Sequence, residues 1–262
     1  MSSNSKRIAL VTGASSGFGA EFARQLARRG SDLVLVARRK DRLDAVAEEV
    51  SAAHGVRTEV IEADLTKKTG VASVVERLKQ GDVTLLVNNA GFGTVGEFAK
   101  LPIGREMEEI DLNIGALTKL SHAALGPMIE KKHGTIINVG STGSFQPVPR
   151  MASYAATKAY VLSFSEALHE EAKPHGVTVT CLCPGIVMTE FQQVARVDTE
   201  KLPSIGVLTP DKVVAAALRG AARGKAIVVP GGMNQAGVGL AKLAPRFLVR
   251  KVSGSMFKDV GA

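Results

Sequence analysis

Seven short apolar runs recur along the chain: IALVTG, DLVLVAR, TEVIEADL, TLLVNNAG, GTIINVGS, TVTCLCPG and KAIVVPG. Each is rich in Val, Ile and Leu and lacks a clean apolar–polar alternation, the pattern of parallel strands covered on both faces. Between them lie stretches such as AEFARQLARRG and DRLDAVAEEVSAAHG, whose apolar positions recur at helical spacing. This alternation predicts an α/β fold: a doubly wound, mostly parallel seven-stranded sheet with helices on both faces and right-handed crossovers. No composition break and no repeat of fixed period divides it, so one domain is expected over 1–232. Residues 233–262 form an extension that the sheet does not need.

In such a sheet the functional loops leave the C-terminal ends of the strands. Polar residues collect there: Thr12 to Gly19, Arg38, Asp64, Asn88 to Gly91, Ser141, and Pro184 to Thr189. With 262 residues, 45% of them hydrophobic, the chain builds a core that needs no disulfide staples. Cys181 and Cys183, one residue apart in an apolar run, read as reduced core residues pointing the same way. No second Cys/His cluster completes a zinc site, so no metal is expected. The start, MSSNSKRIALVTG, has no apolar signal core, and no run of 18 apolar residues exists. A cytoplasmic location is the expectation. The net charge of +8 suits nucleic acid, anionic lipid or an anionic cofactor. With 4% aromatics, no Trp and no helix-turn-helix or finger signature, nucleic acid is set aside.

TGASSGFG places Gly13, Gly17 and Gly19 between the first strand and the first helix. Glycines there allow a tight turn and let backbone N–H groups and a helix N-terminus approach a pyrophosphate. At the end of the second strand stands Ala37-Arg38-Arg39-Lys40, where an acidic residue would instead bind a ribose 2′-hydroxyl. Arginine forks suit a 2′-phosphate, so Arg38 and Arg39 point to NADP(H) over NAD(H). Tyr154 and Lys158 sit four apart on one helical face, a spacing that by itself also fits an ordinary amphipathic surface.

Taken together, the glycine turn, NNAG at 88–91, Asn113, Ser141, Tyr154-x₃-Lys158 and PGIVMT at 184–189 resemble the short-chain dehydrogenase/reductases, in order and spacing, over roughly residues 6 to 230. The resemblance implies a Rossmann-type fold and an NADP(H)-dependent oxidoreductase that interconverts a carbonyl and a secondary alcohol. It implies a catalytic set of Asn113, Ser141, Tyr154 and Lys158. Tyr154 would be the general acid for reduction and the base for oxidation, its pKa lowered by Lys158. Lys158 would also hold the nicotinamide ribose. Ser141 would donate a hydrogen bond to the substrate oxygen, and Asn113, mid-helix, would anchor a proton-relay water. The phosphate turn would comprise Gly13, Ser15, Ser16, Gly17, Phe18 and Gly19. Asp64 and Leu65 would meet the adenine, although Asp64 alone reads equally as a helix cap. Asn89, Ala90 and Gly91 would line the cofactor, with Asn88 bracing the sheet. Pro184, Gly185, Val187 and Thr189 would cover the carboxamide. VGS at 139–141 replaces the commoner serine pair, and Gly140 is expected only to loosen the strand end.

Substrate choice falls to TGSFQPVPRM after Ser141 and to a lid at about 188–209, where Phe191, Val194, Val197 and Leu202 suggest an apolar wall. The substrate is expected to be an apolar small molecule. In 238–262, five cations against one aspartate give +4, half the chain's excess, with Leu243, Phe247, Leu248, Val252 and Met256 at helical spacings. Such a segment lies on an anionic membrane or packs on protein, and both readings stay open. The resemblance implies pairing through two long helices, at about 105–132 and 150–173; small residues on the second, with Ala155, Ala159, Leu162 and Ala167 turned to neighbours, suit such packing, and a homodimer or homotetramer is expected. The rivals to an enzyme are a dinucleotide-binding regulator without turnover and a peripheral-membrane lipid-carbonyl reductase. A regulator has no need of all four catalytic residues.

Overall fold

The computed structural model describes residues 7–191, 195 and 206–256. Its strands are β1 (Ile8–Thr12), β2 (Asp32–Ala37), β3 (Thr58–Glu62), β4 (Val83–Asn88), β5 (Gly134–Val139), β6 (Val177–Leu182) and β7 (Ile227–Val228). They form one parallel sheet in the order β3-β2-β1-β4-β5-β6-β7. The order reverses at β1, so β1 and β4 diverge at their C-terminal ends and open a crevice there. β3, at one edge, is half exposed and carries Glu59 and Glu62 among its apolar positions. KAIVVPG yields only the two-residue β7 at the other edge.

The helices are α1 (Gly17–Arg28), α2 (Lys40–His54), α3 (Lys68–Lys79), α4 (Ile103–Ile110), α5 (Leu117–Glu130), α6 (Ala152–Ala172), α7 (Pro210–Ala222), α8 (Gly232–Leu243) and α9 (Arg246–Met256). Alternate strand residues feed two cores, as the pleat requires. Ala9 and Val11 join Phe22, Leu26, Leu43 and Val213 on the face covered by α1, α2 and α7. Leu10 joins Val74, Leu78, Leu120 and Met128 on the face covered by α3 and α5.

Three expectations change. The long helix at 105–132 is α4 and α5 joined by a π-helical segment, Asp111–Ala116, and Asn113 lies within that wider turn. Such turns widen the helix locally and shift the side chains that follow. On α6, Ala155 and Leu162 are buried in the chain's own core, while Ala159 and Ala167 are exposed. Gly140 does more than loosen a strand end. A Cβ there would lie 2.9 Å from Cys181 Sγ, 3.2 Å from Cys183 Sγ and 3.2 Å from Ser144 Oγ. The two thiols do point the same way, 3.6 Å apart, and they occupy the room a side chain at 140 would need. The expected lid at 188–209, with Val194, Val197 and Leu202, falls mostly outside the described residues.

Gly140→Ala is therefore expected to destabilise the fold by about 1–3 kcal/mol, the usual cost of overpacking. Pairing it with Cys181→Ala should recover part of that loss. The midpoints of denaturant unfolding for the single and double variants check this; a Gly140→Ala protein as stable as the parent would contradict the packing account.

Candidate active site

At the C-terminal end of β1, Gly13 adopts φ +66° and Gly17 φ +53°, left-handed backbone that favours glycine. A Cβ on Gly19 would lie 2.1 Å from the Gly13 carbonyl oxygen, so the turn closes only without side chains. Ser16 stands at the N-cap of α1 but its side chain accepts no hydrogen bond from the helix N–H groups, and the first turn of α1 carries no acidic residue. The first N–H groups of α1 are thus offered to a ligand. Thr12 braces this end of the sheet: its Oγ1 donates to the Val87 carbonyl at 3.3 Å and accepts from the N–H groups of Asn89 and Ala90, each at 3.0 Å.

A cavity of about 390 Å³ opens over the strand ends. It is lined by Gly13, Ser15, Ser16, Gly17, Phe18, Arg38, Arg39, Asp64, Leu65, Asn89, Ala90, Gly91, Ser141, Tyr154, Lys158, Pro184, Gly185, Val187 and Thr189. Two expected residues are not in the lining. Gly19 sits against Gly13 in the turn. Asn113 is buried; its Nδ2 donates to the Phe92 carbonyl at 2.9 Å and to Thr157 Oγ1 at 3.1 Å, and its Oδ1 accepts from Phe92 N–H at 3.2 Å. Asn88, as expected, braces the sheet, donating to Ser121 Oγ and Asn138 Oδ1.

The basic pair splits in role. Arg39 donates to Ser15 Oγ, Ser16 Oγ and Glu190 Oε2, and Arg42 also bonds Glu190. Glu190 thus crosses from the PGIVMT segment to the phosphate turn, a link with no sequence signal beyond its place after Thr189. Asp64 Oδ1 accepts from the Thr66 N–H and hydroxyl, so it caps a turn while lining the cavity. Burial pushes its carboxyl up, but the Thr66 hydrogen bonds and the charge of Arg38 outweigh this and leave it below the usual range.

At the other end, α6 brings Tyr154 and Lys158 to β5. Lys158, 6% exposed, donates from Nζ to the Val139 carbonyl at 2.8 Å. Ser141 caps the short 3-10 turn Thr142–Phe145: its Oγ accepts from Gly143 N–H at 3.0 Å, and Ser144 Oγ accepts from Ser141 N–H. The Ser141 side chain also acts on the Tyr154 hydroxyl, favouring its ionised form. The expected lowering of the Tyr154 pKa is not what the site produces. Burial pushes it up to about 12, against the pull of Ser141. Lys158, whose Nζ lies 5.7 Å from the Tyr154 ring centre, is itself drawn down to about 8 by burial.

The remaining wall is mainly apolar: Phe92, Leu112, Val148, Met151, Ile186 and Phe191, with Gln146. Phe191 packs on Tyr154, ring centres 5.4 Å apart. Sequence reading missed Gly93, where a Cβ would meet Tyr154 Cδ2 at 2.8 Å and Phe191 Cζ at 3.1 Å. Its only signal is the second glycine in GFG at 91–93.

These features match known proteins. The chain is 35% identical to a hydroxysteroid dehydrogenase-like protein 1 of Gallus gallus over 198 residues, 74% of this chain but 60% of that relative. It is 33% identical to a very-long-chain 3-oxoacyl-CoA reductase of Anas platyrhynchos over 215 residues, 80% of this chain and 67% of the other. Among solved structures, a short-chain dehydrogenase from Sphingobium yanoikuyae in complex with NADPH superimposes with a TM-score of 0.83 at 37% identity, covering 92% of this chain and 97% of that one. The short chain dehydrogenase profile matches residues 7–200, which carry the glycine turn and the Ser141–Tyr154–Lys158 cluster, and the chain belongs to that family of oxidoreductases.

Proposed function

We propose that the protein is an NADPH-dependent reductase of an apolar ketone or aldehyde, with Tyr154 as the proton donor. The observation that carries this reading is the placement of Ser141, Tyr154 and Lys158 together at the foot of an apolar cavity. When bound, the nicotinamide supplies the hydride. A phenol held near 12 keeps its proton at neutral pH, the form a general acid needs. Ser141 Oγ already accepts from Gly143 N–H, so its own proton is free to turn between the Tyr154 oxygen and a substrate oxygen. The Lys158 ammonium, anchored on Val139, favours the phenolate left after transfer and offers its other protons to the ribose hydroxyls. Asn113 acts from behind: its Oδ1 and Lys158 Nζ would lie 2.8 and 3.5 Å from a Cβ on Gly91, so the two approach each other across that glycine.

The residues fit an NADP cofactor. The glycine cradle leaves room for a pyrophosphate, Arg38 lines the cavity at the end of β2, and no acid occupies that position to select a free 2′-hydroxyl. Arg39 is engaged by Glu190, which leaves Arg38 the more available fork.

Tyr154→Phe should reduce turnover of apolar ketones, benzil among them, by about 10²-fold or more while leaving the melting temperature near the parent's. Near-normal NADPH oxidation by the variant with any good substrate sinks the assignment. Arg38→Asp should weaken NADPH binding and improve NADH binding, because it removes a charge-assisted contact and adds repulsion. Titrating both cofactors by nicotinamide fluorescence tests this; an unchanged ratio of affinities means the 2′-phosphate is read elsewhere.

A specific observation adds a membrane surface to this reading. Seven of the thirteen large hydrophobics exposed among the described residues lie on α8 and α9. On α8 the apolar stripe Met233, Leu240 and Leu243 faces outward, and Leu243 is 87% exposed. On α9, Val249 and Ser253 are buried against the domain while Leu248, Val252 and Met256 remain exposed. Residues 232–256 contain Lys242, Arg246, Arg250 and Lys251 and no acid, a charge complementary to anionic lipid. No described helix is long and apolar enough to cross a bilayer. Asn234 of α8 lies against Gly185 and Lys242 lies over the Phe145 ring, so the stripe sits beside the cavity. The exposed small residues of α6, among them Ala156 and Ala159, leave a separate face for a twofold partner. Co-sedimentation with phosphatidylserine-containing vesicles should exceed that with phosphatidylcholine alone, fall with salt, and be lost in Leu243→Glu/Phe247→Glu. Light scattering gives the opposing outcome: if the double variant changes the oligomer and not the vesicle binding, the stripe is a protein interface.

A further inference from the structure

Two glutamates of α4 are buried where the reaction has no evident use for them. Glu106 is 2% exposed and Glu109 is fully buried. Both reach a single hydroxyl: Thr94 Oγ1 lies 2.5 Å from Glu106 Oε1 and 2.9 Å from Glu109 Oε2. A threonine hydroxyl has one proton to donate. It satisfies one carboxylate; the other approaches Oγ1 this closely only by carrying a proton and donating it. With both ionised, one contact would set lone pair against lone pair in the interior, at a high cost. The two carboxyls therefore hold at least one proton between them. Glu109 Oε1 has no hydrogen-bond partner among the described residues.

When ionised, Glu109 sets a charge behind the reacting groups. Glu109 is absent from the cavity lining, yet its charge raises the proton affinity of both Lys158 and Tyr154. The groups that face it are Glu106 from its own helix and Lys158 and Tyr154 from α6. The loop 89–96 brings Thr94 and no ionisable residue, and in the π-helical segment the only ionisable residue, Asp111, is exposed. Burial pushes Glu109 itself up to about 7; the Thr94 hydrogen bond opposes this, Glu106 adds to it, and Lys158 opposes it.

We propose that Glu106, Thr94 and Glu109 form a buried proton-sharing element, in which Glu109 is a positioning residue that sets the protonation of Lys158 and Tyr154 and hence the pH range of turnover. This rests on the reading of Tyr154 and Lys158 as the proton-handling pair. The sign follows from charge. An ionised Glu109 holds protons on both groups as pH rises; a neutral side chain there lets them go earlier.

The two glutamates should therefore answer oppositely to neutralisation. In Glu109→Gln the alkaline limb of the kcat profile for benzil reduction should move down by about one pH unit. Glu106→Gln removes the like charge that keeps Glu109 protonated, so Glu109 ionises earlier and the limb should stay or move up. KM for NADPH should change little in either. Where the glutamate variants fold poorly, Thr94→Val should lower the limb and Thr94→Ser should keep it in place, because only the serine retains the shared hydroxyl. A merely structural role would move both glutamate variants the same way, through stability or KM. Glutamate variants whose limbs move together, or a folded Glu109→Gln enzyme whose limb does not move, overturn the proposal. An active Tyr154→Phe enzyme would instead sink the reading beneath it.

Discussion

A buried chain of amides and hydroxyls clamps the two long helices to the middle of the sheet, and the site hangs from it. Asn88 on β4 donates to Ser121 of α5 and to Asn138 on β5; Asn138 donates to Ser165 of α6, whose hydroxyl donates to the Val161 carbonyl. All four side chains are buried, so each must find a partner inside the protein. The helices cannot slide along the sheet without stranding one of them. This fixes the height of α6 over β5, and with it the reach of Lys158 to Val139 and of Tyr154 to Ser141, seven to eleven residues before Ser165. Apolar packing alone would hold the helices on the sheet with less control of register.

Burial then sets the chemistry more than proximity does. A tyrosine and a lysine four apart suggest a phenol acidified by its neighbour. In the folded protein desolvation dominates both: Tyr154 is held near 12 and Lys158 near 8. The two shifts keep the proton on the phenol and make the ammonium the weaker holder of the pair than in water. A site so arranged releases the tyrosine proton only when a strongly basic oxygen forms beside it. In the reaction proposed above, a carbonyl oxygen gaining charge between Ser141 and Tyr154 would be such a base.

The fold was legible because its signals are local. Seven Val/Ile/Leu runs gave seven strands, and β7 proved short. The glycine turn and the Tyr154/Lys158 spacing led to residues that do line one cavity. What stayed hidden depends on neighbours far along the chain. Gly140 is required because Cys181 and Cys183 arrive on another strand, and Gly93 because Tyr154 and Phe191 close over it. The π-helical turn at Asn113 interrupts a sequence with ordinary helical periodicity. REMEEID reads as a charged, solvated helix face, yet Glu106 and Glu109 are buried while Glu108, between them, stays outside with Lys67 and Arg105. A loop residue, Thr94, made that burial tolerable, and no spacing rule connects it to the helix.

Glu190 shows how one charge can couple the cofactor end of the cavity to the segment that follows the sheet. Its carboxylate holds Arg39 and Arg42 and lies beside Ser16, where an anionic cofactor would compete for the same arginine and hydroxyl. Burial pushes this carboxyl up, but the two arginines more than reverse it, so it stays ionised. The pair is only partly buried and open to solvent, and its worth in the free protein is then small, about 0–1 kcal/mol. A weak bridge is easily exchanged. A phosphate at the turn would draw on Arg39 without first having to break a strong pair. The strength of the bridge therefore matters less than its replaceability: a tight, buried ion pair at this place would compete with any anion at the turn.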